Sequence, residues 1–411
     1  MTEKPRVNSQ RLWKSLSDIS AFGAIEENGL NRLALSEEDR QARAFFVAQA
    51  KKSGYSVSYD AIGNILVLRR GLTANLPMVL TGSHLDSQPS AGRFDGTYGV
   101  LAGLEVLRTL DDFAILTTRP VGVACFTNEE GARFTPAMMG SSVLTGVFPL
   151  QQALDAVDSN GLRLGDELIA SGFAGSGSIF GPADVHTAFE LHIEQGARLE
   201  KEGLLLGAVT GIFGITWFEV QLLGPGGHSG TTPMAARCDP VVGAGRLIEA
   251  VARIGLAGGE EARATVGRVA VFPNSINSIA SKAIVNVEFR CPGQVQLDDF
   301  EKQLFKSTSE IAGELGLAWS LVKTFNLAPV TFDPEAVETI KRAAKTLGLG
   351  CLSLSSGAGH DAGNLARLAP TAMIFIPCHD GLSHVPEENI EPQWAQAGAN
   401  ALLLSILEKA L

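Results

Sequence analysis

The chain has 411 residues, 45 % of them hydrophobic and 19 % charged, which excludes a disordered or fibrous protein and is long enough for two domains. A formal net charge of −11 argues against nucleic acid or an anionic membrane as a partner. The five cysteines (Cys125, Cys238, Cys291, Cys351 and Cys378) lack CxxC spacing, and no apolar run reaches the roughly 18 residues of a membrane span, so neither a disulfide framework nor a membrane anchor is expected and a reducing cytoplasm is the expected location.

The opening stretch predicts helices over residues 8–21 and 37–54, from apolar spacings of three and four, with Ser36 before Glu37 and Glu38 as an N-cap. Alternation near Tyr55–Asp60 followed by NILVLRR predicts a hairpin. MVLTGSHLD then reads as a short buried strand, YGVLAGLEVLRTL as a helix, and VGVACFTNEE and AFELHIEQG as further strands. Continuous apolar strands alternating with helices predict an α/β domain, a mostly parallel mixed sheet flanked by helices. Ligands of such sheets sit at the carboxyl ends of the strands, where His84, Asp86, Glu129, Glu130, His192 and Glu194 all fall.

From about Gly214 to Val330 the pattern becomes strand, helix, strand, strand, helix, strand, the βαββαβ order of a ferredoxin-like α+β unit. DPEAVETIKRAAKTLG then resumes helix, and TAMIFIP resumes a buried strand running into Cys378, His379, Asp380 and His384. The expectation is one domain over 1–212 and 330–411, interrupted by a second over 213–329, with hinges near Gly211–Gly214 and Ala328–Asp333.

Carboxylates crowded at strand ends repel one another and desolvate poorly, so a positive group must hold them. A lone histidine is more often structural, but here several share strand ends with carboxylates. His84, Asp95, Glu130, His192 and His384 form the best ligand set for two divalent metal ions, with Asp95 as the bridge because Gly96 lets the backbone approach. Taken alone, that Asp-Gly pair would be an ordinary turn. Mixed nitrogen and oxygen donors suit zinc first, with manganese, cobalt and nickel as alternatives. Asp86 is placed to accept from the His84 imidazole and raise its basicity. Glu130 is assigned to metal and Glu129 to general base, although such a pair also suits a solvated loop end or a helix N-terminus. His228 lies among glycines in GPGGHSGTTPM, as a ligand-approaching loop or a simple turn would have it. Arg290 ends the strand AIVNVEFR, as a fork for a carboxylate or a plain surface arginine.

The segments TGSHLDSQPSAGRFDG, FTNEEGARF, ELHIEQG, GPGGHSGTTPM, SGAGHDA and SHVPEE span nearly the whole chain. Together they resemble the amidase, hydantoinase/carbamoylase family of the dinuclear zinc peptidase superfamily. That family contains N-carbamoyl-L-amino acid hydrolases, allantoate amidohydrolases and β-ureidopropionases. The resemblance implies a homodimer with a catalytic dinuclear metal domain and an inserted dimerisation or lid domain. It carries the two ions to the five ligands above, with Asp95 bridging and Glu129 as base. It implies that His228 reaches the neighbouring subunit's site and stabilises an oxyanion. Arg290 and Asn277 would take the substrate carboxylate, with Gln195, His360 and the backbone of Gly359 as further contacts. The expected reaction is hydrolysis of a linear carbon–nitrogen bond, first of an N-carbamoyl-L-amino acid to the amino acid, carbon dioxide and ammonia. Allantoate amidohydrolase and β-ureidopropionase are alternatives the motifs do not separate. A dipeptidase or aminoacylase ranks lower because of His192, and a non-catalytic binding protein lowest because Glu129 and every ligand are intact. His379 and Asp380 are an added titratable pair, expected against the substrate side chain or behind the ligands.

Overall fold

A computed structural model describes residues 5–73 and 75–411. The chain divides into two compact units, residues 1–210 with 332–411 and residues 211–331. Among the described residues no helix is long and apolar enough to cross a membrane.

The first unit opens with α1 (Ser9–Ile19) and α2 (Glu37–Lys52), capped by the side chains of Asn8 and Ser36. The expected hairpin is present as β1 (Ser56–Tyr59) and β2 (Ile65–Arg69), paired antiparallel. Then follow β3 (Met78–His84), α3 (Thr97–Asp112) and β4 (Val121–Phe126), and the short helices α4 (Met139–Leu144), α5 (Leu150–Leu154) and α6 (Leu164–Ser171). β5 (Val185–Ile193), α7 (Arg198–Glu202) and β6 (Leu206–Ile212) lead out of the unit.

Neighbouring strands of the large sheet run β1-β2-β4-β3-β5, continued after the second unit by a later strand, β15 (Thr371–Ile376), and then β6. β4, β3, β5 and β15 are mutually parallel, so their carboxyl ends share one edge. Every residue of β3, β4 and β15 is buried, as strands covered on both faces require. α3 is buried along most of its length and packs on β3, and Gly99 lets it approach, since a Cβ there would lie 2.3 Å from the Leu191 carbonyl oxygen.

The second unit contains β7 (Gly214–Leu223), β8 (Gly227–His228), α8 (Pro240–Ala257), β9 (Arg263–Phe272), β10 (Ser278–Ile279), β11 (Lys282–Cys291), α9 (Gln294–Leu315), β12 (Ala318–Leu327) and β13 (Val330–Thr331). Its main sheet has the antiparallel order β12-β7-β11-β9, with β8 and β10 forming a separate two-stranded ribbon. β11 alternates buried and half-buried residues without a break. Its inward side chains Val285, Val287 and Phe289 pack with Phe218, Leu247, Val251, Phe300 and Leu304. Each such burial is worth about 1.5–3 kcal/mol. The first unit resumes with α10 (Pro334–Leu347), β14 (Cys351–Ser356), α11 (Asp361–Leu365), β15 and α12 (Pro392–Ala410).

Candidate metal centre

The shared carboxyl edge of β4, β3, β5 and β15 gathers the chemistry. β3 delivers His84, the turn into α3 delivers Asp95, the turn after β4 delivers Glu129 and Glu130, and β5 delivers His192. The turn after β15 delivers His384, half-exposed where the others are buried or nearly so.

Asp95 stands between two groups. Its Oδ1 is 2.9 Å from His192 Nε2 and 3.4 Å from His84 Nε2. Its Oδ2 is 3.4 Å from His384 Nε2, which is also 3.4 Å from Glu130 Oε2. Glu129 Oε2 approaches His84 Nε2 to 3.6 Å. Gly96 makes this possible: its φ is 60°, and a Cβ there would lie 2.4 Å from the His84 ring.

These residues fit divalent metal ions. His84 Nδ1 lies 2.9 Å from the Asp86 carbonyl and His192 Nδ1 2.9 Å from that of Ile193. A carbonyl only accepts, so both Nδ1 atoms donate, and neutral rings turn Nε2 lone pairs toward the Asp95 oxygen. A divalent ion between them would take these lone pairs and the Asp95 oxygen together, in the place where otherwise a proton on Nε2 is held by the carboxylate. Donor atoms bound tetrahedrally at 2.0–2.2 Å lie about 3.3–3.6 Å apart, and most of the separations above match. Buried Glu130 Oε1 has no hydrogen-bond partner. His84, Asp95 and His192 form one candidate metal-holding group and Asp95, Glu130 and His384 a second.

The charge balance follows. Burial would raise the Asp95 carboxyl, but His192, His384 and His84 hold it well below the usual range. Burial opposes charge on His84 and His192, yet Glu129 and Asp95 raise the first well above its ordinary value, and Asp95 raises the second. Hydrogen bonding to Asp95 lifts His384 to about 9. Burial, with the charges of Asp361, Glu130 and Asp95, pushes Glu129 well up, and burial with Asp95 brings Glu130 to about 7.

Two expected contacts differ. The Asp86 carboxylate does not take the His84 proton, because the chain turns after β3 and brings the Asp86 carbonyl under the ring instead. The carboxylate accepts from the main-chain N–H groups of Glu129 and Glu130, each at 3.2 Å, and so fixes the glutamate turn. Gln195 follows β5 with φ 55°, which folds its side chain back, so that Nε2 donates to Asp95 Oδ2 at 2.7 Å and Oε1 stays buried without a partner. His360 stands behind His192, ring centroids 4.6 Å apart, with Nε2 at 2.9 Å from Ser356 Oγ. Burial, with the charge of His192, keeps it well below its ordinary value. Gly359 adjoins it, and a Cβ there would touch the Met138 side chain.

The other predicted residues lie in the second unit. His228 is exposed on β8, opposite Ser278 of β10, and its Nδ1 accepts from Gly230 N–H at 3.0 Å. Asn277 adjoins it, its carbonyl accepting from Ser229 N–H at 3.1 Å. Arg290 sits at the far end of β11 in a two-pronged contact with Glu288, Nε to Oε1 at 2.8 Å and Nη2 to Oε2 at 3.1 Å.

Sequence reasoning passed over Gln88, Ser383 and Glu388, which touch Glu130 and Asp95, and over buried Glu190 and Asp361. Glu190 had a signal, sharing a strand face with His192 two residues on. Asp361 is pushed up to about 8 by burial and the charge of Glu190. Arg32 is fully buried: Nε donates to the Leu85 carbonyl at 2.6 Å, Nη2 to Thr97 Oγ1 at 2.8 Å and Nη1 to the Ile19 carbonyl at 3.0 Å. His379 is engaged with Glu200 (Nδ1 to Oε1, 3.2 Å) and Glu391 (Nε2 to Oε1, 2.8 Å), with its ring on Trp394. The Asp380 N–H donates to Glu200 at 2.7 Å.

A parallel sheet that collects histidines and carboxylates at one edge, around an aspartate shared by two groups, is the catalytic unit of a metal-dependent hydrolase. The chain belongs to Peptidase family M20/M25/M40, which matches residues 80–408. It is 40 % identical over 408 residues, covering 99 % of this chain and 98 % of the relative, to an N-carbamoyl-L-amino-acid amidohydrolase of Rhizobium meliloti. It is 34 % identical to the N-carbamoyl-L-amino acid amidohydrolase of Geobacillus stearothermophilus, over 98 % of this chain and 99 % of that one. A crystal structure from Burkholderia multivorans, of an amidase of the hydantoinase/carbamoylase family, superposes with a TM-score of 0.94 at 44 % identity, covering 98 % of both chains. Within that peptidase family the chain is thus a hydrolase of the amidohydrolase kind, acting on carbon–nitrogen bonds of linear amides other than peptide bonds.

Proposed function

We propose that this chain hydrolyses an N-carbamoyl-L-amino acid to the L-amino acid, carbon dioxide and ammonia. The observation that carries the reading is the Asp95 carboxylate facing two ligand groups with Glu129 beside it. Two divalent ions, zinc first, would be held by His84, Asp95 and His192 and by Asp95, Glu130 and His384. Bound there, such ions acidify water and polarise a carbonyl oxygen.

The chain's residues supply the rest. Glu129 takes a proton from the attacking water as its oxygen bonds to the carbamoyl carbon, and returns it to the departing nitrogen. The carbon–nitrogen bond breaks, ammonia leaves, and the carbamate left on the amino acid loses carbon dioxide. Asp86 keeps Glu129 in place by holding its main-chain N–H. Arg290 and Asn277 receive the substrate carboxylate, with Gln195, His360 and Gly359 lining the site, and His228 donates to the developing oxyanion.

A homodimer supports this arrangement. Asn277 and Arg290 flank opposite ends of β11, and Lys282 to Arg290 alone spans roughly 26 Å at 3.3 Å per residue. No small substrate bridges that distance, so two copies of the chain provide the pair. On α8, Val241, Val242, Ile248 and Leu256 are exposed, an apolar face suited to a second copy. The inserted unit then serves dimerisation and closure. Five unpaired cysteines fit a reducing compartment such as the cytoplasm.

The test is ammonia release from N-carbamoyl-L-amino acids, allantoate and β-ureidopropionate, with a dipeptide control and metal analysis. Turnover of the carbamoyl amino acids above the others is expected. Preferred turnover of allantoate or β-ureidopropionate would move the assignment to that substrate, and cleavage of the dipeptide alone would overturn it.

A further inference from the structure

Glu388 is a buried carboxylate that the chemistry above leaves without a task. Its Oε1 accepts from two main-chain N–H groups, Phe94 at 3.0 Å and Asp95 at 3.1 Å. Its Oε2 lies 3.0 Å from Ser383 Oγ, and that hydroxyl lies 3.0 Å from Asp95 Oδ2. One side chain therefore grips both the main chain of Asp95 and, through Ser383, the carboxylate oxygen that faces His384. Ser383 also precedes His384, whose φ is 59°, so the same contact fixes the turn from which that imidazole projects. The fit leaves no slack on the other side: a Cβ at Gly92 would lie 2.2 Å from Glu388 Cβ and Cδ.

We infer that Glu388 is a positioning residue that sets the direction of the Asp95 carboxylate and the turn of His384 as one rigid piece. The inference rests on Asp95 and His384 being metal ligands. Partners of this kind set ligand orientation, and their loss typically costs roughly 10–100-fold in metal affinity.

The geometry also says what a substitute must do. A glutamine keeps an oxygen for the two N–H groups. Its amide nitrogen can donate to Ser383 Oγ, whose single hydrogen then points at Asp95. Alanine leaves both N–H groups and the hydroxyl without that partner.

The experiment measures zinc affinity by competition with a chromogenic chelator, and the visible absorption of the cobalt-loaded protein. Glu388→Ala should weaken zinc binding roughly 10–100-fold and alter the cobalt spectrum, while Glu388→Gln restores both toward the unaltered protein. Gly92→Ala, which displaces Glu388 without changing its chemistry, and Ser383→Ala should lie between, and they decide the matter if Glu388→Ala does not fold. A folded Glu388→Ala with unchanged affinity and spectrum overturns the role, as does a Gln variant as impaired as the Ala variant. If the unaltered protein takes up no divalent metal, and Asp95→Asn therefore changes nothing, the metal centre itself is refuted and this role with it.

Discussion

Two defective chains should repair each other if the site is shared between subunits. Glu129→Gln removes the base from its own chain's site, and Asn277→Ala removes a carboxylate contact that the chain lends to its partner. If Asn277 and Arg290 both take the one substrate carboxylate, as proposed, the roughly 26 Å from the Asn277 end of β11 to Arg290 calls for such a crossing. Losing a hydrogen bond to a charged group costs about 1.5–3 kcal/mol, or roughly 10–150-fold in kcat/KM. Glu129→Gln alone should cost roughly 10²–10⁴-fold in kcat. In a mixed dimer one site carries both defects and the other carries neither. Dimers co-expressed with two tags and purified on both should therefore regain about half the unaltered specific activity. The assay is ammonia release at carbamoyl substrate well below KM, where the rate reads kcat/KM. Mixed dimers no more active than the parent variants would refute the crossing, and so would a fully active monomer by solution mass.

Glu129→Gln by itself should keep its metal, since Glu129 lies outside both ligand groups; full turnover, or loss of metal, would contradict its role as base. Gly96→Ala should destabilise the fold by roughly 1–3 kcal/mol, from a φ of 60° and a Cβ 2.4 Å from the His84 ring. Thermal melts and metal analysis check it, and an unchanged Tm with full metal content would show the approach to be unnecessary. A chelator should abolish activity while leaving the far-ultraviolet circular dichroism in place, and added zinc or manganese should restore it; activity that survives complete metal removal would argue against the centre. Burial opposes charge on His379, but Glu391 and Glu200 outweigh it and raise its pKa. Its contribution is therefore complete below about pH 6.5 and disappears as pH rises through the raised value. The Tm difference between the unaltered protein and His379→Gln should shrink across that window, and a difference independent of pH would discount the pairing.

Elements written in hydrophobic periodicity were legible. β3, β4 and β15 are apolar runs too short for helices, as buried strands are, and β11 alternates as an open-faced strand must. The strand ends were legible too, because parallel neighbours bring their carboxyl termini to one edge whatever the loops do. What the pattern did not carry was the direction of side chains just past those ends. Asn128, Gln195 and His384 all take positive φ without being glycine, and the neighbouring Gly131, Gly196, Gly381 and Pro386 mark a turn without telling which residue adopts the left-handed conformation. The Gln195 amide consequently meets Asp95, and a backbone carbonyl, not the Asp86 carboxylate, steadies His84. Glu388 was hidden for the same reason: its partners Phe94 and Asp95 are close only through a long-range fold contact.

Arg32 has a further consequence for what counts as the working core. The family match begins at residue 80, which suggests a catalytic module that could be cut free of the preceding helices. Yet Arg32 ties the end of α1, through the Ile19 carbonyl, to Leu85 beside His84 and to Thr97 two residues beyond Asp95. A chain trimmed to the matched region would lose this side chain, which spans these segments from the far side of that boundary. Arg32 is thus part of the frame around His84 and Asp95, and trimming the chain to the matched region should disturb the candidate site as well as the fold.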